Sequence, residues 1–160
     1  MPSRRDQIAL KDEELRHYLA DQRILVVGTI GRDGRPHLTS LWYVLRGGNP
    51  WIFTYARSQK VRNLERDPRA TLLVESGREY FELRGAMLIA DATIHRDPEL
   101  VATVGEELFV RYDDKGPKGR PGLDEGTREA VRARAAKRVA VEFRVRRVVS
   151  WDHAKLGGTY

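Results

Sequence analysis

The chain has 160 residues, enough for one domain with a substantial core, and its 41% hydrophobic content excludes a disordered chain. A net charge of +6 favours an anionic partner, and the absence of cysteine excludes disulfides, thiolate metal sites and cysteine nucleophiles. The basic residues are spread along the chain, no apolar run reaches the ~20 residues of a membrane span, and no secretory signal begins the chain. We therefore expect a cytoplasmic protein whose partners include neither nucleic acid nor a membrane.

The predicted elements begin with a helix and three short strands. Leu15, Tyr18 and Leu19 recur at helical spacing and predict a helix over about residues 11–21, with Asp12 as its cap. The runs "ILVVGTI", "HLTSLWYVL" and "WIFTY" follow, separated by the turn signals "GRDGRP" and "RGGNP". Tight turns between three strands predict an antiparallel meander.

The next segment, "TYARSQKVRNLERDPRA", concentrates positive charge at the start of a short predicted helix. Ser58 is placed to cap that helix, whose first turn offers free N–H groups and the positive end of the dipole. Arg57 and Lys60 flank this end, and Thr54 and Ser58 add hydroxyls, so the pattern predicts a phosphate cradle. The alternative is a solvated surface helix. Arg62 and Arg66 are expected to be surface charges that Glu65 and Asp67 screen.

The second half of the chain predicts three more strands and a helical insertion. "ATLLVES" and "REYFELRGAMLIADATIH" predict two strands, and Gly85 inside the second suggests a bulge or bend. Residues about 97–137 predict two helices around the loop "KGPKGRPG", and "VAVEFRVRRVVSW" predicts a half-buried last strand. The sum predicts one domain over residues 1–160, mainly β: a six-stranded antiparallel barrel with flanking helices.

Taken together, four motifs resemble a known family. "GTIGRDGRPHLTSLWYVL", "WIFTYARSQKVRNLERDPRATLLVE", "FELRGAMLIAD" and "VVSWDHAKLGG" are similar to the pyridoxamine 5′-phosphate oxidase-like split-barrel flavoproteins, and most similar to the branch that uses the deazaflavin coenzyme F420. The resemblance covers about residues 22–96 and the C-terminal motif. It implies a split β-barrel, F420 as the cofactor with FMN as the alternative, and a homodimer with cofactor sites at the interface.

The resemblance also implies which residues bind the cofactor. Those along the ring would be His37, Thr39, Ser40, Leu41 and Trp42. Those at the phosphate would be Arg57, Ser58 and Lys60, and Thr54 would lie by the ring or the phosphate. Arg62 and Asn63 would support that helix or the cofactor tail. The partner chain would add Tyr80 and the C-terminal Trp151, Asp152, His153 and Lys155.

The implied function is a flavin- or deazaflavin-dependent oxidoreductase that transfers a hydride to a small organic substrate. Because the cofactor carries the chemistry, no catalytic side chain is predicted. Gln59-Lys60 stands where true pyridoxamine-phosphate oxidases tend to carry Arg-Lys, and their C-terminal arginine motif is missing, so that activity is not expected. A non-catalytic carrier of a flavin, deazaflavin or haem is the alternative. The four histidines lack metal-ligand spacing, so no metal site is predicted.

Overall fold

Seven strands and five helices make up the part of the chain that the structure describes, residues 3–113 and 123–157 of a computed structural model. The strands are β1 (Leu25–Ile30), β2 (Pro36–Leu41), β3 (Val44–Arg46), β4 (Asn49–Tyr55), β5 (Arg69–Ser76), β6 (Arg84–His95) and β7 (Arg138–Asp152). The helices are α1 (Arg4–Ile8), α2 (Asp12–Asp21), α3 (Gln59–Arg66), α4 (Pro98–Tyr112) and α5 (Glu125–Ala135). Two short 3₁₀ turns cover Tyr80–Glu82 and His153–Leu156.

All seven strands belong to one antiparallel sheet in the order β2-β1-β5-β6-β7-β4-β3. The edge strands β2 and β3 are consecutive in the chain, and only Trp42 and Tyr43 separate them. Three Cα–Cα steps of 3.8 Å span at most ~11 Å, so the sheet must curl until its two edges approach each other. The result is a curled half-barrel with flanking helices, which confirms the predicted fold class.

The number of strands and the meander were predicted wrongly because "HLTSLWYVL" is two strands rather than one. β1 pairs with β2 and β3 with β4, but β2 and β3 lie at opposite edges of the sheet. Long-range contacts break the run: Tyr43 is fully buried and its hydroxyl donates to the carbonyl of Leu19, while Trp42 stacks on Tyr112. The sheet therefore has seven strands instead of six.

Two hydrophobic clusters lie on the two faces of β4. Inside the half-barrel, Ile52 packs with residues from α2, α3 and the other strands, among them Leu25, Val61, Leu72, Leu88 and Phe143. On the outer face, Trp51 and Phe53 pack against α4 and α5. Because side chains alternate along a strand, Thr54 faces the interior with Ile52, whereas Phe53 faces the helices.

Several local predictions also need correction. Lys11 rather than Asp12 occupies the N-cap position of α2, and α1 precedes it. The register of the β6–β7 pair shifts between Ile89 and Ala90, where β7 carries the extra residue Arg146, and not at Gly85. Gly85 pairs with Trp151, whose indole leaves no room for a Cβ at position 85.

The helical insertion consists of α4 and α5, and the loop "KGPKGRPG" between them lies outside the described residues. Asp97 caps α4 through a bond from the Leu100 N–H, as its position before Pro98 suggests. Within residues 3–113 and 123–157, no helix combines the length and the apolar character that crossing a membrane requires.

Candidate cofactor-binding site

The N-terminus of α3 lies directly after β4 and lacks a side-chain cap. Ser58 occupies the N-cap position, as predicted, but its hydroxyl makes no capping bond. The Ser58 Oγ is buried and has no hydrogen-bond partner in the described part of the chain. The first turn therefore keeps its backbone donors, and a buried hydroxyl beside them is free to bond a ligand.

Lys60, in the first turn of α3, is a buried cation with a weak partner. Only 8% of the residue is exposed, and its Nζ donates a 3.2 Å hydrogen bond to the Thr54 Oγ1. Within residues 3–113 and 123–157, no carboxylate lies within 4.0 Å of this ammonium. Burial lowers the pKa of Lys60 because the ammonium loses its hydration. A hydroxyl compensates a buried charge poorly, whereas an anion would compensate it well.

Asn63 fixes α3 to the first strand. The residue is fully buried, its Nδ2 donates to the Thr29 Oγ1 at 3.0 Å, and its Oδ1 accepts from the Gln59 Nε2 at 2.9 Å. Thr29 is 1% exposed and was missed in the sequence analysis. The signal was present, since the inward alternation of Leu25 and Val27 continues to position 29 and places a hydroxyl in the core.

We call this set of side chains the α3 cluster: Thr29, Thr54, Ser58, Lys60 and Asn63. Four of its members are buried polar residues contributed by β1, β4 and α3. Their hydrogen bonds hold the start of the helix against the ends of two strands. The arrangement can bind a compact anion such as phosphate, because it offers one buried charge, one free hydroxyl and uncapped backbone donors.

Strand β2 extends the site along the edge of the sheet. His37, Thr39 and Leu41 are half-buried on one face of the strand, and Ser40 is exposed on the other. The His37 Nδ1 and the Thr39 Oγ1 are buried without a hydrogen-bond partner among the described residues. The Thr29 Oγ1 donates to the His37 carbonyl at 3.5 Å, which links β2 to the α3 cluster. Unsatisfied polar atoms on an edge strand suit the polar rim of a planar ring.

The other basic residues of the segment divide into two kinds. Arg57 and Arg62 are exposed, and no carboxylate in the described residues pairs with either. Arg66 is exposed, as expected of a surface charge, and it also donates to the Ile30 carbonyl at 2.6 Å and to the Asn63 Oδ1 at 3.4 Å. It therefore anchors the end of α3 to β1.

Tyr80, Trp151 and Lys155 lie elsewhere in the same chain. Thr54 pairs with Val139 near the start of β7, whereas Trp151 lies at the far end of that strand, opposite Gly85. The Lys155 Nζ bonds the Glu14 carboxylate at 2.6 Å and the Ala9 carbonyl at 2.8 Å. The Tyr80 ring lies 4.6 Å from the His153 ring. One chain alone does not bring these residues to the α3 cluster, and their role stays a prediction.

In the described ranges, no group of three or more histidine or carboxylate side chains is placed to hold a metal ion. The α3 cluster itself offers groups that bind and orient a ligand: a cation, hydroxyls and backbone donors around a helix N-terminus.

A curled half-barrel with a polar cluster at a helix N-terminus places the chain among the split-barrel proteins. The family model for pyridoxamine 5′-phosphate oxidase matches residues 12–152, and the chain belongs to that family. This result confirms the resemblance drawn from the sequence motifs.

Solved structures with the same fold include proteins of different activities. A conserved hypothetical protein from Mycobacterium tuberculosis is 37% identical, with 99% of this chain and 95% of that chain covered and a TM-score of 0.87. An F420 reductase is 22% identical, with coverage of 83% and 94% and a TM-score of 0.62. HutZ, the haem storage protein from Vibrio cholerae, is 15% identical, with coverage of 89% and 97% and a TM-score of 0.66. The last two are similar in fold alone, and no curated protein matches the chain.

Proposed function

We propose that the chain is a deazaflavin- or flavin-dependent oxidoreductase that uses F420, with FMN as the alternative cofactor, to transfer a hydride to a small organic substrate. The observation that carries the proposal is the buried Lys60 ammonium, which has only the Thr54 hydroxyl for a partner at the start of an uncapped helix. An internal cation of this kind is costly unless an anion binds beside it. The phosphate group of either cofactor is such an anion.

The residues of the site fit a cofactor that carries a phosphate group and a planar ring. The buried and unpartnered Ser58 Oγ can donate to a phosphate oxygen, and the unpartnered Thr39 Oγ1 and His37 Nδ1 can bond the polar rim of a ring. The two exposed arginines, Arg57 and Arg62, favour F420, whose tail carries a phosphodiester and several carboxylates. The bound cofactor would supply the hydride, while the chain would hold it, orient it and exclude water.

We further propose that a second copy of the chain completes the site. The outer face of β2, β1, β5 and β6 forms an apolar groove of about 680 Å³ that extends to Trp151. Leu38, at the middle of β2, is 66% exposed there. An apolar surface of this kind favours association, and a two-fold pairing would allow Tyr80, Trp151 and Lys155 of one chain to approach the α3 cluster of the other.

Equilibrium titration of the purified chain with F420, FMN and haemin tests the cofactor. The proposal expects saturable binding of F420, weaker binding of FMN, and oxidation of reduced F420 when a suitable acceptor is added. Binding of neither F420 nor FMN would overturn it. The buried His37 Nδ1 favours haem as a second candidate, since histidine is a common axial ligand, and binding of haemin alone would support a carrier.

Size-exclusion chromatography with light scattering measures the molar mass of the protein in solution and so tests whether it is a dimer. Leu38→Arg places a charge in the apolar groove and should convert a dimer into a monomer. Val110→Arg is the matched control, because Val110 is also an exposed apolar residue, at 48%, but lies on α4 outside the groove. A wild-type monomer, or an equal effect of the two variants, would overturn this part of the proposal.

A further inference from the structure

The helical insertion builds a second pocket on the outer face of β4. The pocket has a volume of about 210 Å³, and its walls come from four places: the end of β2 with Trp42, the middle of β4, the start of β7, and the facing sides of α4 and α5. Its principal lining residues are Trp42, Phe53, Leu108, Phe109, Arg134 and Arg138. We call it the α4–α5 pocket. Since Phe53 and Thr54 point to opposite faces of β4, the strand separates this pocket from the α3 cluster.

Two arginines of the α4–α5 pocket lack an acidic partner. Arg134 lies in the last turn of α5 and Arg138 begins β7, and neither has a carboxylate within 4.0 Å in the described part of the chain. Other arginines of α5 behave differently: Arg128 and Arg132 both pair with Glu106, at 3.3 Å each. Glu106 of α4 thus pairs with the arginines outside the pocket, whereas the two inside it face no carboxylate from the described residues.

Arg138 is also held in a fixed orientation. Its guanidinium carbon lies 4.0 Å from the ring centroid of Tyr55 and 4.8 Å from that of Phe53. Its Nε is buried and makes no hydrogen bond to any described residue. Stacking on two rings restricts the guanidinium plane, so its N–H fork is prepared for a planar, bidentate acceptor.

The rest of the lining is apolar and aromatic. Trp42 stacks on Tyr112 with ring centroids 4.4 Å apart, yet it remains 55% exposed and so keeps ring surface available to a ligand. A cavity of ~150 Å³ can hold benzene, so the present volume suits one aromatic ring with a small polar group. We propose that the α4–α5 pocket binds a single-ring aromatic carboxylate, with the ring against Trp42 and Phe53 and the carboxylate on Arg134 and Arg138.

Leu41 and Trp42 connect this pocket to the proposed cofactor site, because both also belong to the segment predicted to line the ring. The assignment of this carboxylate as the substrate, or as a molecule that resembles it, rests on the proposed function. Binding of the carboxylate does not require the cofactor, so the two proposals can fail separately.

Calorimetric titration of the cofactor-free full chain tests the pocket, with benzoate as the probe and benzamide as its neutral counterpart. We expect benzoate to bind at least ~10-fold more tightly than benzamide, because benzamide lacks the charge that the arginines compensate. Arg134→Gln and Arg138→Gln should each lower the affinity for benzoate by at least ~10-fold. Arg132→Gln, on the same helix but paired with Glu106, should leave the affinity within about twofold of the wild type.

Arg134 is exposed and makes no side-chain hydrogen bond in the described residues, so Arg134→Gln should fold even if the loss of stacking impairs Arg138→Gln. No binding of benzoate, equal binding of benzamide, or equal loss in Arg132→Gln and Arg134→Gln would overturn the inference. Titration of the same samples with F420 and FMN separates the proposals. Cofactor binding without benzoate binding overturns only the pocket, and benzoate binding without either cofactor overturns only the proposed function.

Discussion

The two faces of β4 hold positive charge in different ways. On the inner face, Lys60 is 8% exposed, has a single hydroxyl partner and carries a pKa lowered by burial. On the outer face, the Arg138 guanidinium lies against two aromatic rings. A compact ammonium beside a helix N-terminus suits a phosphate, whereas a stacked guanidinium in an apolar pocket suits a planar carboxylate. If both proposals hold, one strand separates the cofactor site from the pocket for a second molecule.

The largest effect on stability is expected from the hydrogen bonds on the inner face. Asn63→Ala would leave the buried Thr29 hydroxyl without its donor and open a small cavity, so the free energy of unfolding should fall by about 2 kcal/mol. Arg62→Ala, on the exposed side of the same helix, should change it by less than about 0.5 kcal/mol. Urea unfolding of the cofactor-free chain measures both, and equal small changes would contradict the role given to Asn63.

Removing the charge from each face should change stability in opposite directions. Lys60→Met removes an undercompensated buried ammonium and should raise the free energy of unfolding of the cofactor-free chain, by roughly 1 kcal/mol. Arg138→Met removes stacking on Tyr55 and Phe53 and should lower it by about 1 kcal/mol. Thermal unfolding of the two variants provides the comparison. A destabilised Lys60→Met variant would mean that the lysine is fully compensated without a ligand.

The smallest expected effect concerns alkaline pH. Burial raises the pKa of Tyr43 to about 12, so the stability linked to its neutral hydroxyl is complete below the unfolded pKa of ~10 and is lost as the pH rises towards 12. The lowered pKa of Lys60 acts in the opposite sense, because its burial cost is relieved as the ammonium loses its proton. Between pH ~9 and ~10.5 the loss from Tyr43 should stay below about 1 kcal/mol.

Urea unfolding across this pH range can separate the two groups. Tyr43→Phe should flatten the decline in stability because phenylalanine has no proton to lose. Lys60→Met should steepen the decline because it removes the group that acts in the opposite sense. An unchanged pH profile in both variants would show that neither group titrates as its burial predicts.

Much of the fold could be predicted from the sequence because short-range signals determined it. The DG turn between β1 and β2, the position of Ser58 before α3, and Asp97-Pro98 at the start of α4 are local patterns with local causes. The wrong predictions depend on distant partners. Trp42 and Tyr43 separate β2 from β3 through contacts with α4 and α2, and Gly85 accommodates Trp151 rather than forming a bulge.

The candidate site divides in the same way. Thr54, Ser58 and Lys60 lie within seven residues, so their meeting at a strand-to-helix junction could be predicted. Thr29 could not be assigned to that cluster from the sequence, since only the folded sheet brings β1 beside α3. Arg66 lies at the surface as predicted, but its bond to the Ile30 carbonyl depends on the folded sheet. Arg134 and Arg138 line one pocket only once α5 has packed on α4 and β7.

Cofactor titration of matched lysine variants tests the central claim most directly. Lys60→Met should weaken the affinity for F420, or for FMN if that is the cofactor, by at least ~10-fold, which corresponds to ~1.4 kcal/mol. Lys11→Met, the same exchange at an exposed lysine before α2, should leave the affinity unchanged. Equal affinities for the wild type and both variants would contradict the claim that the buried lysine at the start of α3 binds the anionic group of the cofactor.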